Sequence, residues 1–155
     1  MSTLRVDNLQ GQTADGISKY VVQYHYNTPT GGTNLTDFAG QTGITINNTT
    51  IRGTSSISFS RKLANSSFVI NVSSTWYRPS SSGELRGGYR LNSGTDIVTY
   101  WGDNNGTWVR SACEFLDTTS GSVGDNVLFE TVFTNTVASD NAVRHIAMSV
   151  MEIAQ

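Results

Sequence analysis

A chain of 155 residues with a formal net charge of −2 and only 14% charged residues is long enough for one domain with a real core. That charge balance and the lack of any basic cluster exclude an electrostatic case for nucleic acid or an anionic membrane. The single cysteine, Cys113, excludes an internal disulfide framework, and no apolar run approaches the ~20 residues of a membrane helix. Gly, Ser, Thr and Asn are plentiful while the helix formers Glu and Lys are scarce, which predicts a β-rich fold with many turns.

The opening segment MSTLRVDNLQGQTADG (1–16) alternates Leu4 and Val6 with Arg5 and Asp7, a strand period. Leu4, Val6 and Leu9 do not hold a helical period. The segment has neither the basic n-region nor the apolar h-region of a secretory signal. It reads as a connector strand preceding a head over 17–155. ISKYVVQYHYN (17–27) places Tyr20, Val22, Tyr24 and Tyr26 on one face of a strand. TPTGGTNLTDFAGQTG (28–43) is a loop-rich connector. ITI (44–46) and SISF (56–59) are short strands. FVINVSSTWY (68–77) is a strong one, with Phe68, Ile70, Val72 and Trp76 on one side.

RPSSSGELRG (78–87) reads as a loop, followed by strands at GYRLN (88–92) and TDIVTYW (95–101). GDNNG (102–106) separates two aromatic runs, and Asn-Gly supplies the positive φ angles of a tight hairpin, so TWVRSACEF (107–115) is expected as its return strand. LDTTSGSVGD (116–125) is turn material. NVLFETVFTNT (126–136) points Val127, Phe129, Thr131 and Phe133 one way. SDNA (139–142) turns. VRHIAMSVMEIA (143–154) contains helix formers, but Ile146, Met148 and Val150 alternate with His145, Ala147 and Ser149, so a strand is expected. About eight short strands without a credible helix imply an all-β sandwich or jelly roll.

Catalytic chemistry finds little support. Glycoside hydrolysis needs two carboxylates across a sugar bond, and nothing in the spacing of the 12 acidic residues picks out a pair. His25 and His145 both sit inside strand patterns. Cys113, on the Val109, Ser111 and Phe115 face, reads as a small buried hydrophobe rather than a nucleophile. No His, Cys or Asp cluster has metal-ligand spacing, so no metal or other cofactor is expected. Six Asn-x-Ser/Thr triplets, at Asn34, Asn47, Asn48, Asn65, Asn71 and Asn105, reflect the Asn, Ser and Thr content rather than glycosylation. The remaining candidates are aromatic. Rings stack on sugar faces while Asp, Asn and Arg bond the hydroxyls. Tyr77, Trp101 and Trp108, with Asp103, Asn104 and Asn105 in the turn between the two tryptophans, form the candidate binding set, with Tyr77 and Trp101 as the better surface residues.

From about residue 44 the order of features is a polar strand pair (ITINNTTIRGTSSISF), FVINVSSTW, RLNSGTDI, WVRSACEFLDTTSG, LFETVFTN and a terminal MEIAQ. This order resembles the C-terminal heads of bacteriophage fibres, especially those of marine and cyanobacterial phages. Such heads are similar to the jelly roll of C1q and tumour necrosis factor, which is built as a trimer. STLRVDNLQ resembles the short S-T-L-(K/R)-V-(D/N)-x-(I/L)-Q leader common to such fibre proteins. The resemblance implies a homotrimeric virion protein, assembled in the host cytoplasm. Its leader, through Leu4, Val6 and Leu9, would dock on another virion protein, and its head would recognise a host surface glycan without catalysis. It implies no nucleic-acid partner and no membrane insertion. A head fibre or capsid decoration protein without receptor binding, and a polysaccharide depolymerase, are the alternatives.

Overall fold

A computed structural model of the chain describes residues 21–27, 44–46, 48–77, 84–101, 108–136 and 141–154. Among these residues there is no helix. The strands are β1 (Val21–Asn27), β2 (Ile44–Ile46), β3 (Thr50–Ser60), β4 (Ser67–Tyr77), β5 (Leu85–Leu91), β6 (Ile97–Tyr100), β7 (Trp108–Asp117), β8 (Asn126–Asn135) and β9 (Asn141–Ile153). They form two antiparallel sheets. One runs β1-β9-β4-β7, with β2 continuing the β1 edge along β9, and the other runs β3-β8-β5-β6. β1 pairs with β9, β3 with β8, β4 with β7 and β5 with β6. The first half of the chain therefore lies antiparallel against the second, outermost strand to outermost strand. From β2 onward every connection except β5–β6 passes from one sheet to the other.

The two-residue period of the sequence decides what fills the sandwich. Phe68, Ile70, Val72 and Trp76 from β4 meet Val127, Phe129 and Phe133 from β8, and all are buried. Phe68 and Phe129 pack edge-on at 5.1 Å, with Phe59 against Phe68 at 6.0 Å. Each such side chain contributes about 1.5–3 kcal/mol on burial. On β9, Ile146, Met148 and Val150 enter the same core, so the terminal segment is a strand despite its helix formers: burial on alternate residues outweighs a weak local preference.

Besides an irregularity at Val21/Gln23 on β1, two bulges adjust this alternation. On β9 the register with β4 jumps from Ser73↔Ala147 to Thr75↔Arg144, which places one extra residue on β9. His145, at φ 51°, absorbs it, so Val143 and Ile146 both face the core although they are three apart. On β3 the partners pass from Arg52↔Val132 to Ser56↔Glu130, with Gly53 at φ 70°. The buried Thr131 hydroxyl repairs that gap. It accepts from the Ser55 N–H at 2.9 Å and donates to the Ser55 carbonyl at 3.2 Å.

Several expectations are corrected. The predicted hairpin across 102–106 does not exist as a strand pair, because β6 pairs with β5 in one sheet and β7 with β4 in the other. Tight-turn residues permit a hairpin but do not compel one where both flanking strands have better partners. Strand β5 begins at Leu85, inside the predicted loop, β7 runs on to Asp117, and β9 begins at Asn141. On β1 the alternation gives Tyr24 and Tyr26 a common face without a direction, and that face points outward. Tyr24 is 57% exposed, while His25 stacks on Phe59 at 4.2 Å and Asn27 donates to the Ser56 carbonyl at 2.7 Å.

One end of the sandwich closes on a buried carboxylate. Glu152, fully buried, accepts from the Lys62 and Leu63 N–H groups at 3.0 Å, the Ser66 hydroxyl at 2.6 Å and the Gln23 amide. Burial pushes this carboxyl upward. The Ser66 hydroxyl, the two N–H groups and Gln23 outweigh that effect and hold it below its ordinary value. Arg61, also buried, donates to the Ser66 carbonyl at 3.0 Å and the Thr119 carbonyl at 2.8 Å, and its guanidinium lies 4.6 Å over the Phe68 ring. The two buried charges thus tie two loop segments, those between β3 and β4 and between β7 and β8, to the sheets.

Candidate functional site

The β4–β7 pairing brings two of the expected residues together. Tyr77 and Trp108 are register partners, and their rings sit 5.4 Å apart at 32°. From the neighbouring β9, Arg144 lays its guanidinium over the Trp108 ring at 3.9 Å, a cation–π contact. Beside it, Thr75 shares a 3.2 Å hydrogen bond with His145 Nδ1, so the β9 bulge positions the arginine. Tyr77, Trp108 and Arg144 form a patch on the outer face of the five-stranded sheet, and Trp108 keeps 38% of its surface exposed. Arg144 was not a sequence candidate, since only the bulge aligns it with Trp108.

Trp101 goes elsewhere. It is 7% exposed and packs edge-on against Phe133 at 5.4 Å. Gly87 makes the space for it, since a Cβ there would lie 2.4 Å from the indole. Its expected surface role is therefore corrected to core packing: the residue that follows β6 turns into the sandwich before the chain crosses sheets. Asp103, Asn104 and Asn105, and the connector residues Leu4, Val6 and Leu9, lie outside the described residues.

Cys113 faces inward, with Sγ 3.6 Å from the Val72 carbonyl and 3.9 Å from that of Gly87. Burial pushes its thiol up to about 11, against a smaller opposing pull from the Trp101 indole. The thiolate form a nucleophile needs is thereby disfavoured. Among the described residues no group of three or more His, Cys, Asp and Glu side chains could hold a metal ion.

A concave feature opens elsewhere, between β5 and β6 of the other sheet and the end of β7. A cleft of ≈ 300 Å³ is lined by Tyr89, Leu91, Asn92, Thr95, Ile97, Asp117 and Thr119. Tyr89 donates to Asp117 Oδ2 at 2.8 Å, and the Thr119 N–H donates to Oδ1 at 2.8 Å. Burial, then the bond to Asp117 and its charge, push the Tyr89 phenol well above its ordinary value. The rim is anchored by Asp96, between Thr95 and Ile97, which takes Arg52 Nη2 at 2.6 Å. That bond holds the Asp96 carboxyl below its ordinary value despite partial burial. Arg90 and Glu130 pair at 2.7 Å on the same sheet. Sequence reading missed this cleft because its walls come from β5, the turn after it, β6 and the end of β7, and no local pattern joins them.

No protein-family model matches the chain, and no curated protein matches it. Among solved structures it is similar to the infectious bursal disease virus VP2 subviral particle protein, at 13% identity and a TM-score of 0.25 over 94% of this chain. The chain spans 46% of that protein's length. A likeness this slight carries no argument about fold or function. Among the described residues no helix is long and apolar enough to cross a membrane.

Proposed function

We propose that this chain is a trimeric bacteriophage fibre protein with a jelly-roll head that binds a host surface glycan and carries no catalytic activity. The observation that carries the reading is the nested strand pairing. β1 and β2 against β9, β3 against β8, β4 against β7 and β5 against β6 is the order expected when a long antiparallel hairpin wraps into a sandwich, the jelly-roll arrangement found in viral capsid and lectin domains. It supports the resemblance to C1q-like fibre heads.

The trimer is supported by the outer face of the five-stranded sheet. Tyr24, Met151, Val69 and Leu116 are successive register partners across β1, β9, β4 and β7, and Leu116 is 63% exposed. A continuous apolar row at this exposure favours burial against another copy. The glycan surface is best supplied by Tyr77, Trp108 and Arg144, which offer a stacking face and a cationic donor. The connector 1–16 would dock on the virion by adding a strand to a neighbour. Replacing both Leu4 and Val6 by Asp should abolish incorporation into particles while leaving the circular dichroism of the head unchanged; normal incorporation would refute the docking role.

The decisive experiment joins mass and binding. Light scattering of the full chain at micromolar concentration should return three copies, and a monomer would overturn the trimer. On immobilised envelope glycans, Trp108→Ala should weaken binding about tenfold or more, equivalent to ~1.4 kcal/mol. A trimer that binds none of them would instead be a decoration protein.

A further inference from the structure

We propose that the cleft between β5, β6 and the end of β7 is a second subsite, separate from the Tyr77–Trp108–Arg144 patch, and that it takes one uncharged saccharide ring. Its ≈ 300 Å³ sits at the small end of the roughly 300–1,000 Å³ of ligand pockets, which limits it to a single small ring. The ligand class follows from what lines it. Asp117 is an acceptor with about four lone-pair sites. Two of them are held by the Tyr89 hydroxyl and the Thr119 N–H. Those two bonds fix its orientation and leave acceptor capacity for ligand hydroxyls.

The remaining walls suit the rest of a sugar. Leu91 and Ile97 supply an apolar surface for the C–H face of the ring. Thr95 and Thr119 supply hydroxyls that both donate and accept. Asn92, at φ 48°, accepts from the Leu128 N–H through its amide oxygen at 2.7 Å, so its amide nitrogen is the donor end. An ionised carboxylate in the wall repels acidic sugars, which is why the ring is uncharged. The rim does not have to be organised by the ligand. The Arg52–Asp96 ion pair and the Asn92–Leu128 bond hold both sides of the turn that carries Asn92 and Thr95. This limits the ordering cost of binding.

The inference rests on the glycan-binding reading above, but the two fail separately. The test follows the methyl signals of Leu91 and Ile97 by NMR while the full chain is titrated with methyl glycosides of neutral hexoses. Saturable shifts at these methyls are expected, in the millimolar range usual for one shallow sugar contact. Asp117→Asn should weaken them about tenfold. Ile97→Arg should abolish the shifts of Leu91, and because Ile97 is 43% exposed this variant keeps its fold even if Asp117→Asn does not. A methyl glucuronide should bind at least about tenfold more weakly than its neutral counterpart, a difference of ~1.4 kcal/mol. Shifts confined to residues around Trp108, shifts that survive Ile97→Arg, an equal response to the glucuronide or no shift at all would each overturn the proposal. Any of those results alongside array binding that depends on Trp108 would leave the glycan-binding reading standing. Cleft binding without array binding would do the reverse.

Discussion

Glu152 shows how one residue can set both fold and pH response. A buried carboxylate is tolerated only when donors satisfy it, and here the Lys62 and Leu63 N–H groups, Ser66 and Gln23 do so. Glu152→Gln removes the charge and turns one acceptor into a donor that faces other donors. We expect a loss of about 2–3 kcal/mol, read as a lower denaturant midpoint. The pH dependence has a definite sign. Glu152 and Asp96 both sit below their ordinary values in the folded chain. Their stabilisation is complete above the unfolded values of about 4.3 and 3.9 and is lost as pH falls through the lower folded ones. Stability should be flat from neutrality to about pH 5 with respect to these groups and then decline. A Glu152→Gln variant should show a shallower decline than wild type in acid denaturation.

At the scale of elements, the bulges matter more than the regular pairing. The β9 bulge at His145 brings Arg144 over Trp108 and lets Val143 and Ile146 share the core. The β3 bulge depends on a side chain of another strand, because Thr131 satisfies both backbone groups of Ser55. Thr131→Val keeps the shape and removes the hydroxyl. It should cost about 1–3 kcal/mol, seen as a melting temperature lower by roughly 2–10 °C for a chain of this size. An unchanged melting temperature would mean that the Ser55 groups find other partners. Gly88 fixes the β5–β6 pair in a different way. A Cβ there would lie 1.9 Å from the Ile97 carbonyl oxygen, so Gly88→Ala must push β6 away. It should abolish sugar-induced shifts at the cleft before it unfolds the core.

For the whole molecule, the row Tyr24–Met151–Val69–Leu116 would link association to folding in the proposed trimer. If three copies bury it, unfolding is coupled to dissociation, and the melting temperature should fall on dilution. Scanning calorimetry over a hundredfold range of concentration measures this directly, and a flat response would mean that each chain is stable alone. Leu116→Asp should give a folded monomer by light scattering, since Leu116 contributes nothing to the buried core.

The sequence by itself determined the class of fold and most of the core. Alternation on β4, β8 and β9 grouped Phe68, Ile70, Val72 and Trp76, then Phe129 and Phe133, then Ile146, Met148 and Val150, each set on one face of its strand, and these are the buried faces. That information is local, because the side-chain period of a strand is a property of its own backbone. Only the tertiary structure decided which strands pair. The 102–106 segment has hairpin residues, yet β6 and β7 belong to different sheets, because pairing is won by the strand that offers the longer register and the better buried face. The same limit explains the sites. Tyr77, Trp101 and Trp108 all stood in the candidate set, and Trp101, favoured with Tyr77 as a surface residue, is the one that is buried. Arg144 and the cleft around Tyr89 and Asp117 had no signature at all, because a bulge creates the first and the meeting of two distant segments, 89–97 and 117–119, creates the second.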